Sequence, residues 1–265
     1  AAGGGGRPAA GRAVGVGCVL HDPPLRAATG GAEFQPLPVA LDADIITLHV
    51  PLDRSGPFAT AGMVDAAFLG ALRADAILVN TARGEVVNET ALLESLRTRP
   101  DLRAIIDVWT DEPNVNSALL QEVDIATPHI AGYSTDGRLR ATACIADALC
   151  RLTGAHRHES GPPVLPAPGV PEVHIVPGMD LMTAVQSAVL SSYDVRSDAI
   201  VLRRLAPGDG AALQQGFSEA RNAYPLRREF PAHNVLVPPG RTTIHAVLET
   251  LGFNVREPVR NSQVS

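Results

Sequence analysis

Three residues, each inside its own phrase, have the types and spacing for chemistry. Arg83 sits in Asn80-Thr81-Ala82-Arg83-Gly84-Glu85, and Glu112 in Asp107-Val108-Trp109-Thr110-Asp111-Glu112-Pro113. His129 sits in Thr127-Pro128-His129-Ile130-Ala131-Gly132, so the trio is separated by 29 and 17 residues. A guanidinium fork matches a carboxylate bidentately and fixes an α-hydroxy acid with its C2 hydrogen aimed at a hydride acceptor. An imidazole takes the C2 hydroxyl proton on oxidation and returns it on reduction. A carboxylate beside that imidazole orients it and stabilises its charged form. The blander readings are a surface arginine, a solvated loop acid and a core histidine. Flanking Gly84, Pro113 and the Pro128/Gly132 bracket favour fixed loops after strands over those readings.

Asp22 ends the run Val14-Gly15-Val16-Gly17-Cys18-Val19-Leu20-His21-Asp22, which reads as a short buried strand stopped by Pro23-Pro24. A carboxylate at such a strand end can accept from both ribose hydroxyls of a dinucleotide and repels a 2′-phosphate, favouring NAD over NADP. The competing reading is an acid capping the next turn, which the two prolines disfavour. Asp107 faces either a nicotinamide carboxamide or a helix start. Trp109 reads as packing and Tyr133 as a substrate contact. His21, His49, His156, His158, His174, His233 and His245 lack ligand spacing, so no metal site is expected. Every cation is Arg, which excludes Schiff-base and lysine general-base mechanisms. Cys18, Cys144 and Cys150 read as reduced thiols packed as small hydrophobes.

The elements that must position the trio are apolar runs alternating with helical patterns. A helix end followed by a buried strand is expected within 42–52, further strands at 76–80, 102–108 and 123–128, and helices at 59–72, 89–97 and 137–153. Runs apolar throughout indicate a parallel sheet covered on both faces. That is a doubly wound α/β domain, whose ligands sit beyond the carboxyl ends of its strands. Residues 155–169 read as a linker. After it, short strands at 174–176, 234–237 and 253–255 and helices at 181–193, 211–223 and 243–251 make a small α+β domain.

The chain has 265 residues, is 45% hydrophobic and 19% charged, and carries a net charge of −6. That balance argues against a general nucleic-acid binder. No apolar run approaches the roughly 20 residues that span a membrane. The start lacks the apolar core of a signal peptide, so a cytoplasmic protein is expected.

With these phrases in hand, the chain resembles the D-2-hydroxyacid dehydrogenase family. Its Arg, Glu and His correspond to Arg83, Glu112 and His129, and its ribose-binding acid to Asp22. The resemblance runs from about Val14 to Arg256. It includes His129-Ile130-Ala131-Gly132-Tyr133-Ser134, Leu165-Pro166-Ala167-Pro168, Tyr193-Asp194-Val195-Arg196 and Arg227-Arg228-Glu229-Phe230. It implies a Rossmann-like domain at 1–134, a long helix at 135–154 returning to a substrate domain, the linker at 155–169, and a dimerisation domain at 170–265. It implies NAD contacts at Asp22, Val50 (through its backbone), Thr81, Ala82, Arg83, Asp107 and Gly132. Tyr133 and Arg83 would touch the substrate, a small phosphorylated 2-hydroxy acid, in a homodimer. The family's G-x-G-x-x-G turn, which holds the pyrophosphate, has at most Gly4 left to represent its last glycine. The first strand and the substrate domain are absent from the front. A truncated, inactive chain is the resulting expectation. Helix at 5–13 is disfavoured by Pro8 and several glycines. An NAD-sensing interaction protein is the alternative from another class.

Overall fold

A computed structural model describes residues 6–156, 164–205 and 210–258. The chain divides into two compact units: Val19–Ala131 with Val195–Tyr224, and Ala1–Cys18 with Gly132–Asp194 and Pro225–Ser265. In chain order the elements begin α1 (Gly6–Ala13), α2 (Pro23–Thr29), α3 (Leu37–Leu41), β1 (Ile45–Leu48), α4 (Ala66–Gly70) and β2 (Ile77–Asn80). They continue α5 (Glu89–Thr98), β3 (Arg103–Ile106), α6 (Ser117–Glu122), β4 (Ile125–Ala126) and α7 (Thr135–Thr153). The remainder is β5 (Glu172–His174), α8 (Leu181–Ser192), α9 (Val195–Leu205), α10 (Gly210–Asn222), β6 (Asn234–Leu236), α11 (Thr242–Thr250) and β7 (Asn254–Arg256).

The first unit is built on a parallel four-stranded sheet in the order β1-β2-β3-β4. Leu48 pairs with Asn80, Asn80 with Ile106, and Ile106 with Ala126. All four strands therefore end on one row, and everything C-terminal to that row emerges on the same edge. Leu78, Ala104 and Ala126 at 0% exposure, with Leu69, Leu92 and Leu119 from the helices, form its core. This is the doubly wound arrangement expected of continuous apolar strands.

Four expectations are corrected. Residues 14–22 form no strand: Val16 and Val19 are 48% and 44% exposed, and one bridge, Leu20 to Phe34, is all the pairing there. A strand needs a hydrogen-bonded neighbour, and β1 is the last strand on that side of the sheet. For the same reason Ile45 on the edge strand is 53% exposed and not doubly covered. Helix at 59–72 shrinks to α4. Gly62 is left-handed at φ 67°, the Thr60 and Ala61 amides donate to Asp53 O, and Asp65 Oδ1 accepts from the Phe68 amide to start the helix late. Residues 6–13 are helical despite their glycines, because Pro8 falls in the first turn, where an amide has no intrahelical acceptor to lose. Gly4 lies outside the described residues.

The helical pair α9 and α10 groups with this sheet unit, whereas the sequence reading set a helix at 211–223 among the C-terminal strands. The reason is burial: Leu202, Leu213 and Phe217 are 0%, 3% and 1% exposed and join the sheet's core cluster. Each is worth about 1.5–3 kcal/mol against solvent exposure. Arg203 Nη2 donates to the Val123 and Asp124 carbonyls at 2.6 and 3.0 Å, tying α9 to the chain entering β4. Helix α9 itself was not expected.

The other unit holds a parallel three-stranded sheet, β5-β6-β7, with α8 and α11 packed through Ala184, Ala188, Ile244 and Leu248. The Arg227-Arg228-Glu229-Phe230 phrase has a structural role here. Arg228 forks onto Asp136 in the first turn of α7, with Nε to Oδ2 and Nη2 to Oδ1 both at 3.0 Å. Glu229 Oε1 accepts from Ser134 Oγ at 2.5 Å, and its Oε2 from Arg140 Nη2 at 2.7 Å. Arg227 lies 4.4 Å from the Tyr193 ring centroid. Helix α7 fully buries none of its residues, so Cys144 is exposed instead of packed. Among the described residues, no helix is long and apolar enough to cross a membrane.

Candidate active site

The common row of strand ends delivers the three phrases to one edge. Arg83 comes three residues after β2, Asp107 to Glu112 follow β3, and His129 comes three residues after β4. The Asp107 amide donates to Asn80 O at 3.0 Å and the Thr127 amide to Ile106 O at 3.0 Å, so strand pairing continues one residue into each loop.

His129 and Glu112 meet directly: Nδ1 is 2.8 Å from Oε2. With Nδ1 held by a carboxylate, Nε2 is the nitrogen left to exchange a proton. Glu112 is itself fixed, since Oε1 accepts from the Trp109 amide at 2.9 Å. Burial pushes the Glu112 carboxyl up. The His129 ring, the Trp109 amide and the charges of His129 and Arg221 outweigh that push and hold it below the usual glutamate range. A carboxylate so held is ionised at neutral pH and can support a charged imidazole.

The backbone around the pair is unusual. His129 has φ 56° and Asp111 has φ 59°, both left-handed without being glycine. Such conformations persist where surrounding bonds dictate them. Asp107 supplies those bonds for His129. At 3% exposure, its Oδ1 accepts from Thr127 Oγ1 and the Ile130 amide, both at 2.7 Å. Its Oδ2 accepts from the Ala131 amide at 3.0 Å, and its carbonyl from the His129 amide at 2.7 Å. Asp107 therefore shapes the histidine loop, a third role beside the two weighed from sequence.

Arg83 joins through the strand-end row. Its side chain is exposed, and Nη1 donates to the Ala82 carbonyl at 2.6 Å. Asn80, 1% exposed, braces the turn: Oδ1 accepts from the Ala82 amide and Nδ2 donates to Arg83 O. Thr81 is partly buried and Ala82 is 7% exposed, while Val50 packs partly buried just past β1. Asp22 caps α2, with Oδ1 accepting from the Leu25 amide at 2.9 Å. The two prolines do not oppose that cap; they occupy the first two helical positions, where proline fits best. Gly132 and Tyr133 belong to the other compact unit, in which Arg138 stacks 5.7 Å from the Tyr133 ring centroid.

Asn80, Thr127 and Arg221 escaped the sequence reading. A polar residue ending an otherwise apolar strand was the signal available for Asn80; Arg221 had none. A hollow of 460 Å³ nearby is lined by Glu85, Glu89 and Asp111 but by none of the trio. Burial raises the Glu89 carboxyl, partly offset by its bonds to Thr110. Three carboxylates suit an anionic acid poorly, so the strand-end edge remains the site. Among the described residues, no group of three or more metal-ligating side chains occurs.

Residues 3–131 match the family model described as D-isomer specific 2-hydroxyacid dehydrogenase, NAD binding domain. Residues 164–252 match one described as Domain of unknown function (DUF3410). The chain is 39% identical over 247 residues to an erythronate-4-phosphate dehydrogenase from Edwardsiella ictaluri, covering 92% of this chain and 63% of that protein. It is 41% identical over 219 residues to one from Pseudomonas savastanoi pv. phaseolicola, covering 82% and 57%. The chain thus spans less than two thirds of the length of these curated relatives. Among solved structures, the NAD-complexed D-isomer specific 2-hydroxyacid dehydrogenase from Lactobacillus delbrueckii ssp. bulgaricus is 27% identical. It covers 47% of this chain and 42% of that one at a TM-score of 0.38.

Proposed function

We propose that this chain, whose residues 3–131 match the NAD-binding-domain model of the D-isomer specific 2-hydroxyacid dehydrogenases, is part of an enzyme of that family oxidising 4-phospho-D-erythronate at C2. The product is 3-hydroxy-2-oxo-4-phosphooxybutanoate, on the way to pyridoxal 5′-phosphate. The observation that carries this reading is the 2.8 Å contact of His129 Nδ1 with Glu112 at the strand ends of the NAD-binding sheet. The substrate assignment is supported by the likeness to erythronate-4-phosphate dehydrogenases over 92% of the chain.

Arg83 swings from the Ala82 carbonyl to clamp the substrate carboxylate. His129 Nε2 takes the C2 hydroxyl proton as the C2–O bond becomes a carbonyl. Glu112 balances the imidazolium that results. NAD, when bound, would supply the acceptor for the hydride that leaves C2. The donor set fits that cofactor: Asp22 Oδ1 caps α2 while Oδ2 would take the ribose hydroxyls. The chain past β1 and β2 offers Val50, Thr81 and Ala82 to the cofactor, and the family resemblance assigns Asp107 and Gly132 to the cofactor and Tyr133 to the substrate. Homodimerisation is assigned to the C-terminal part, where Met182 and Leu190 on α8 are 50% and 43% exposed. The three free cysteines fit the cytoplasm.

Substrate profiling of the full-length protein with NAD tests the reading. It predicts kcat/KM for 4-phospho-D-erythronate at least about tenfold above that for 3-phosphoglycerate. A preference for 3-phosphoglycerate, or NAD binding without any turnover, overturns it; the latter outcome favours an NAD-sensing protein.

A further inference from the structure

The helical pair α9–α10 brings one cation to the catalytic pair. Phe217 and Leu213 seat α10 in the sheet unit's core, and Arg203 pins α9 to the Val123 and Asp124 carbonyls. The Tyr224 hydroxyl, just beyond α10, donates to Asp198 Oδ2 on α9 at 2.9 Å, closing the pair on itself. With both helices fixed, Arg221 in the last turn of α10 places Nη1 3.9 Å from Glu112 Oε2. That is the same oxygen His129 Nδ1 approaches at 2.8 Å. The side chains of Arg221 and Glu112 are 34% and 18% exposed, so the interaction is partly shielded from water. Glu89 reaches the same turn by accepting from the Thr110 amide, and the charges of Asp111 and Glu112 both raise its carboxyl.

We infer that Arg221 is a positioning residue for proton transfer: through its contact with Glu112 Oε2, a helix far downstream in sequence orders the carboxylate that orders His129. The inference rests on the reading of His129 and Glu112 as the proton-transfer pair. A carboxylate hydrogen-bonded to the imidazole and drawn toward a guanidinium has less freedom to rotate when the imidazole gains or loses its proton, so the ring keeps its aim.

A double-mutant cycle in the full-length enzyme separates this role from a structural one. Arg221→Gln should lower kcat on the order of tenfold while leaving KM for NAD within about twofold. Arg221→Lys should recover part of that loss. In a Glu112→Gln background, Arg221→Gln should cost less than about twofold, since its target is gone. Circular dichroism verifies folding, and Arg221→Met replaces Arg221→Gln if the latter does not fold. Equal losses from Arg221→Gln in both backgrounds, or no loss in the wild-type background, would overturn the inference. Unchanged kcat in Glu112→Gln alone would instead sink the reading beneath it.

Discussion

Gly84 and Trp109 touch backbone to backbone. A Cβ built on Gly84 would lie 2.0 Å from the Trp109 carbonyl carbon and 2.1 Å from its oxygen. Residue 84 follows Arg83, the proposed substrate clamp, and residue 109 opens the turn that ends in Glu112. Close approach explains this glycine, where sequence suggested a sharp turn. Gly84→Ala should force the two loops apart and cost about 2–4 kcal/mol, by analogy with other overpacked backbone contacts. Urea unfolding followed by Trp109 emission measures this directly, and an unchanged midpoint would show that the loops are free to separate.

Arg83→Lys keeps the charge but loses the planar fork. A point cation does not align a carboxylate in two dimensions. In the full-length enzyme, KM for the hydroxy acid should rise by about tenfold or more, with KM for NAD little changed. Wild-type kinetics in this variant would mean that Arg83 is not the clamp.

Asp22 caps α2, and one substitution can separate that cap from the ribose contact proposed for it. Asp22→Ser preserves a capping oxygen for the Leu25 amide but removes the carboxylate proposed to hold the ribose. Preference for NAD over NADP should fall by at least about tenfold, while thermal stability stays near wild type. Asp22→Ala should lose the preference and about 1 kcal/mol of stability besides. A retained NAD preference in both variants would remove Asp22 from the cofactor site.

The Asp136–Arg228 fork sets an acid limit on the C-terminal unit. Burial pushes the Asp136 carboxyl up, but the Arg228 fork and the Glu229 amide prevail and hold it below the usual aspartate range. A carboxyl lowered in the folded state stabilises above its unfolded value, near 3.9, and loses that contribution as pH falls through its folded value. Stability should therefore drop below about pH 4. Asp136→Asn should be less stable at pH 7 by about 1–3 kcal/mol and show a shallower acid decline. Urea titrations at pH 7 and pH 3 decide this; parallel losses in wild type and variant would exclude the fork.

The strand-end placement of Glu112 and His129 was legible because its signals are local. Apolar runs ending at Asn80, Ile106 and Ala126 mark neighbouring strand ends, and Pro128 and Gly132 mark a loop around His129. What stayed hidden depends on partners distant in sequence. Residues 14–22 have strand composition but no neighbouring strand to pair with. Residues 59–65 have helical spacing, yet Gly62 and the tie to Asp53 pull them out of a helix. Arg221 lies 109 residues beyond Glu112, on a helix whose docking follows from burial of Phe217 and Leu213, and no local pattern reports such docking. Asp107 looked like a ligand contact because a buried acid at a strand end is ambiguous until its loop is placed.

NADH formation from 4-phospho-D-erythronate by full-length His129→Gln, at saturating NAD and substrate, probes the proton acceptor itself. Turnover should fall by about 10²–10⁴-fold while NAD still binds with wild-type affinity. Turnover within a few-fold of wild type would show that the hydroxyl proton leaves by another route and that the imidazole at the strand ends is not the base.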